Sequence, residues 1–227
     1  MSSQGTLASP VLRTFVSRLE AGWLSGHVSW DTVLRVDELK DAAAVGGDRG
    51  LDAIRAWMCA DWLVRVRVPA WLALAGLHRR ARAIRRLEPM RDARGAQRAA
   101  PVLAAARDSC APTRERKAAW DALWSGRCEM ATAHAGAAAR RVASVPIWLA
   151  VREAASFAAW DEARDAIGDT VWDASWAVAW DAAWEAGEDG AREAAVAALA
   201  PTALALERQA MALLEDLVGL DEAIAAP

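Results

Sequence analysis

At 227 residues, 55% apolar and 25% charged, the chain has the balance of an ordinary globular protein and can fill one full core. Its formal charge of −3 and pI near 5.7 argue against specific nucleic-acid binding. The uncharged stretches, among them 68–77, 142–151 and 194–206, fall short of the roughly 18–20 residues of a membrane span.

Alanine supplies about a quarter of the residues, and Arg, Leu and Glu are plentiful. These are the strong helix formers. Tyr is absent, and Phe and Ile are few, so strand formers are scarce. The composition predicts an all-α fold, a single-domain helical bundle of about seven to nine helices spanning residues 1–227. Arg outnumbers Lys 25 to 2 and Asn is missing, as GC-rich codons would produce, which suggests a high-GC bacterium or one of its phages.

In chain order, Ser9-Pro10 reads as an N-cap followed by Pro at the first helical position. Val11, Leu12, Phe15, Val16, Leu19 and Trp23 then keep helical spacing. Ser29 and Asp31 start a second helix, which Gly46-Gly47 breaks, and Asp48 caps a third that runs from Leu51 towards Val68. Pro69 bends or ends that helix, and Gly76 terminates the short apolar segment beyond it. Residues 51–77 are the expected centre of the core. A buried Trp there removes roughly 150–250 Å² from water, or roughly 4–6 kcal/mol gross.

A basic helix over 78–87 follows, then a polar connection over 91–98 and an Ala-rich helix from Pro101 to about Ser109. Pro112-Thr113 opens a long helix expected to reach Val142. Ser144 and Pro146 open another, which ends at Ile167 or continues through Gly168 to Ala186. Gly187 and Gly190 weaken the helix, and Pro201 and Gly219 bracket the last one.

Residues 160–186 nearly repeat every four positions, with Trp at 160, 172, 176, 180 and 184 and Asp at 161, 165, 169, 173 and 181. A period of four on a helix of 3.6 residues per turn drifts by about 40° per repeat. Trp172, Trp176, Trp180 and Trp184 therefore form one broad ridge, with an acidic row beside it. The ridge is either a packing surface, Trp knobs set among Ala on facing helices, or an exposed groove or oligomer interface.

Charge is segregated. Residues 65–141 carry +11, residues 142–227 carry −12 and residues 1–64 carry −2. The densest basic cluster is Arg79, Arg80, Arg82, Arg85 and Arg86, of which Arg79, Arg82, Arg85 and Arg86 gather on one side of a helix. This face is neutralised by the acidic helices of its own fold, or binds an acidic partner, or pairs with the acidic face of a second copy.

Sites of chemistry are sparse. Phosphate-binding Gly loops, zincin and EF-hand patterns and Glu-x-x-His pairs are missing. His27, His78 and His134 stand in no ligand-spaced motif, so no metal or cofactor is expected. Cys59, Cys110 and Cys128 form no C-x-x-C pair and read as buried free thiols of a cytoplasmic protein. The first 25 residues lack the pattern of a secretion signal. Asp61 is the isolated oddity, an acid in the most apolar helix. It either pairs with Arg65 four residues on or opens onto a Trp-lined pocket with Trp57, Trp62 and Trp71.

The run CADWLVRVRVPAWLALAGL at 59–77, the Ala-rich tract with repeated Trp-Asp-Ala units and the Leu-rich segment at 204–218 resemble uncharacterised proteins of actinobacteria and actinophages. That resemblance implies no activity and carries over no functional residue. ATAHA at 131–135 is similar to a stretch of bacterial toxin-immunity proteins. The reading expected from all of this is non-enzymatic protein–protein interaction or self-association, with no membrane. The alternatives are a toxin-immunity or phage accessory protein, and a small-molecule-binding or enzymatic bundle whose pocket lies near Asp61.

Overall fold

A computed structural model describes residues 9–23, 30–43, 51–123, 126–143, 145–155 and 161–225. The expected features at Ser29, Gly46-Gly47, Asp48, Ser144 and Trp160 lie outside the described residues, as do the side chains of Asp31, Asp161 and Asp165. Among the described residues there are helices and no strands. They are α1 (Pro10–Trp23), α2 (Trp30–Ala43), α3 (Asp52–Trp62), α4 (Val68–Leu74), α5 (His78–Arg85), α6 (Ala93–Ser109), α7 (Ala111–Ala122), α8 (Gly126–Ala143), α9 (Pro146–Ala155), α10 (Asp161–Ala186) and α11 (Ala191–Ala225). A π-helical turn, Leu63–Arg67, joins α3 to α4 without a break. The fold is thus the all-α helical bundle that the composition predicts.

Local chemistry sets several boundaries where expected. The Leu12 amide donates to the Ser9 hydroxyl at 3.2 Å, the N-cap of α1. Gly76 adopts φ +78°. The Leu77 amide donates to the Leu72 carbonyl at 2.8 Å and Gly76 to Ala73 at 3.1 Å, the paired bonds of a glycine C-cap.

Elsewhere the boundaries differ from expectation, for identifiable reasons. Pro69 neither ends the rod nor breaks it. It has no amide to donate to the Arg65 carbonyl, and the wide π turn immediately before it takes up the defect. The connection expected over 91–98 is mostly helix, because the Asp92 carboxylate accepts from the Gly95 amide at 2.8 Å and caps α6 from Ala93. Pro101 therefore sits inside α6, with its ring in solvent. The long helix expected from Pro112 to Val142 is two, since α7 closes at Leu123 with a non-helical ψ of 40°. Pro201 and Gly219 lie within α11 and do not bracket it. Pro costs about 3 kcal/mol in a helix interior, and the burial of Leu199, Leu206, Leu213, Leu214 and Leu217 along the same helix exceeds that.

α10 packs against α4, α6, α8 and α11, while α1 and α3 pack against α9. The Trp/Ala tract explains the position of α10. From Thr170 to Trp180 almost every residue is buried, so the helix is enclosed on all sides. In the α3–α4 rod, Leu63, Val64, Val68, Trp71 and Leu72 are buried, whereas Ile54 is 50% exposed.

Candidate functional sites

The Trp ridge is a packing surface over its middle: Trp176 is 2% exposed and Trp180 is buried, while Trp172 and Trp184 are half-buried. Trp180 and Trp184 stack at 5.1 Å with an interplanar angle of 11°. Arg127 of α8 stands 4.9 Å over the Trp184 ring and donates to the Trp184 carbonyl at 3.3 Å. The acidic row is not uniformly wet. Asp169 and Asp181 are exposed, but Asp173 is buried. Arg116 of α7 reaches Asp181 at 3.3 Å, so part of the charge segregation is neutralised inside the fold.

Asp61 is covered rather than open. Arg65 donates to both its carboxylate oxygens, at 2.6 and 2.5 Å, and the Met90 amide donates to Oδ1 at 2.8 Å. It thereby ties the α3–α4 rod to the segment before α6. The pocket residues grouped with it separate: Trp62 and Trp71 are buried and line a crevice described below, whereas Trp57 packs half-buried on the core.

The basic face remains in solvent. Ala81 and Ile84 turn α5 into the core, which leaves Arg79, Arg80, Arg82, Arg85 and Arg86 exposed. Arg91, Arg94 and Arg98 extend the exposed surface onto the start of α6. Arg80 donates to the Ser109 hydroxyl at 2.8 Å and Arg85 to the Pro69 carbonyl at 3.3 Å. Among the described residues none of these eight arginines forms an ion pair. α5 packs on α4, the π turn and α6.

Sequence reasoning missed one site. Arg67, the last residue of the π turn, is 2% exposed. Its guanidinium lies 4.2 Å over the ring of Trp148, and Arg152 stands 4.9 Å over the same ring. Burial, seconded by the charge of Arg152, pushes the pKa of Arg67 well below its ordinary value. Nε and Nη2 of Arg67 and Nε1 of Trp62, Trp71 and Trp148 are buried with no hydrogen-bond partner among the described residues. Each such group costs about 1–3 kcal/mol. All four residues line one crevice of about 20 Å³. It shares Val142, Val145, Ala203 and Glu207 with an apolar groove of about 360 Å³ between α8 and α11. Burial raises the pKa of Glu207 above its ordinary value. The available signal was Arg67 itself, between two valines in the most apolar rod, with Leu63, Val64, Ala70 and Trp71 at its helical neighbours and no acid among them.

Among the described residues no group of His, Cys, Asp and Glu could hold a metal ion, and no helix is long and apolar enough to cross a membrane. Cys59 and Cys110 are buried and Cys128 is half-buried, and none of the three forms a disulfide among the described residues. Burial raises the Cys59 pKa far from the reactive range. No family model matches the chain, and neither a curated protein nor a solved structure matches it.

Proposed function

We propose that this protein is a non-catalytic binding protein that docks the arginine surface of α5 and the start of α6 against an acidic protein surface. The observation that carries the reading is the set of eight exposed arginines between Arg79 and Arg98, none ion-paired among the described residues and interrupted only by Glu88 and Asp92. Arginine keeps its charge at any physiological pH and binds carboxylates in a two-pronged fork. A dense basic field also accelerates encounter with an acidic partner.

Binding of the full chain to immobilised polyglutamate, at low and high salt, tests it. Duplex DNA and a second immobilised copy of the chain serve as parallel arms. Polyglutamate should be retained at low salt and released at high salt, because exposed charges are screened beyond about 10 Å at 0.1 M ionic strength. The triple variant R79E/R82E/R86E should lose retention while its unfolding midpoint stays close to that of the wild type, since all three side chains are exposed. Retention that survives the triple reversal removes the reading. Stronger retention of DNA than of polyglutamate replaces the partner class, and capture by the second copy assigns the face to self-association.

A further inference from the structure

The crevice at the π turn carries a separate inference, because no α5 arginine lines it. Arg67, Trp62, Trp71 and Trp148 line it, and two guanidinium nitrogens of Arg67 and the three indole N–H groups are buried there without acceptors among the described residues. Glu207 is the one acidic residue on the wall, and it lies beyond ion-pairing distance of Arg67. A donor cluster around the Arg67 guanidinium, with Arg152 over the same Trp148 ring paired to Glu153 at 2.5 Å, selects an oxyanion and rejects a cation. The crevice has room for about one water-sized group, too little for the several oxygens of a phosphate. The adjoining groove is a different environment, lined by small and aliphatic side chains such as Val145, Leu199 and Ala203, with Leu204 57% exposed at its rim. Arg141 also lines the groove and is exposed.

We propose that crevice and groove together bind an amphipathic monocarboxylate, its carboxylate received by Arg67 and the surrounding indole N–H groups and its hydrocarbon body lying along the groove between α8 and α11. The geometry separates the two halves of the ligand. An oxygen end matches the donors of the crevice, and an apolar body matches the mostly aliphatic lining of the groove. Arg67 reaches this position because the wide turn before Pro69 resets the helical register, which rotates by about 100° for each residue inserted. Glu207 stands on the wall that crevice and groove share, and burial raises its pKa above its ordinary value.

Titration calorimetry on the full chain with decanoate, with decanol as the same body lacking the charge, tests the proposal. Decanoate should bind saturably at one site, at least about tenfold tighter than decanol, the scale of one charge-assisted contact to a buried group. Arg67→Met should bring decanoate down to the level of decanol. Ala203→Phe, which fills the groove and leaves Arg67 in place, should weaken both ligands by about tenfold or more. Absence of decanoate binding to the wild type overturns the proposal and leaves the crevice to a water molecule. Decanoate binding that Arg67→Met leaves within about twofold overturns it as well. If circular dichroism shows that Arg67→Met does not fold, Ala203→Phe decides alone, and unchanged decanoate binding by that variant overturns the proposal.

Discussion

Arg55 and Arg67 lie on one helical rod and are both buried, at 0% and 2% exposure, yet they are held in opposite ways. Arg55 donates to the Asp52 carboxylate at 3.2 Å and to the Leu217 carbonyl at 3.1 Å. Asp52 also accepts from the Ser9 hydroxyl. One guanidinium thereby ties α1, α3 and α11 together. Arg67 has an aromatic face beneath it, a second arginine nearby and two nitrogens without acceptors. Asp52 stands three residues before Arg55 on the same helix face, so the acid and the base are buried together. No acid occupies the equivalent positions around Arg67. A buried cation that brings its own acid acts as a structural tie, whereas one without an acid carries an uncompensated cost that the proposed carboxylate would relieve.

The largest effect expected from this contrast is at Arg55. Arg55→Met should destabilise the protein by about 3–5 kcal/mol, because it leaves Asp52 and the Leu217 carbonyl short of their donor. Chemical denaturation with a fixed m-value reads this directly. Arg67→Met should move the same measurement the other way or leave it still. Relief of the unpaired charge outweighs the lost stacking on Trp148, with a net gain of about 1–2 kcal/mol. A loss comparable to that at Arg55 would make the two arginines equivalent and end the contrast. Ser9→Ala removes both the cap of α1 and a donor to Asp52, and should cost about 1 kcal/mol. If Asp52 is the hub, that cost shrinks in the Arg55→Met background, and a double-mutant cycle measures the coupling.

The smallest effect is a pH slope at Glu207. Its pKa is raised by burial in the folded chain, so the folded state holds that proton more tightly than the unfolded one. Stability should therefore fall as pH rises from the ordinary glutamate value through the raised one. Glu207→Gln should flatten this decline between mildly acidic and neutral pH in thermal melts. An unchanged slope would place the Glu207 carboxyl in water and weaken its connection to the Arg67 crevice.

Much of the scaffold was legible locally. The Ser9 cap, the Gly76 stop, the Asp61–Arg65 pair and the Trp ridge all follow from spacings of three or four residues and one glycine conformation. The misplaced boundaries share a cause. Pro101 and Pro201 read as helix starts and Pro69 as a bend or stop, but Asp92 starts α6 ahead of the first, buried leucines carry α11 past the second and a π turn absorbs the third. Of the candidate sites, the arginine face was legible because a run of like charge is a property of sequence. The Arg67 crevice was not, because Trp148, Val145 and Glu207 reach it from elements far apart in the chain.

By itself, the amino-acid order determined the helical class, the Trp and Asp rows of α10 and the uneven distribution of charge. Each of these depends on propensity and period, which act within a few turns. The tertiary structure decided which tryptophans are enclosed, that the α5 arginines stay exposed, and that Arg67 is buried without an ion pair among the described residues. Burial and ion pairing are set by distances between segments remote in sequence, and helical periodicity carries no information about those distances.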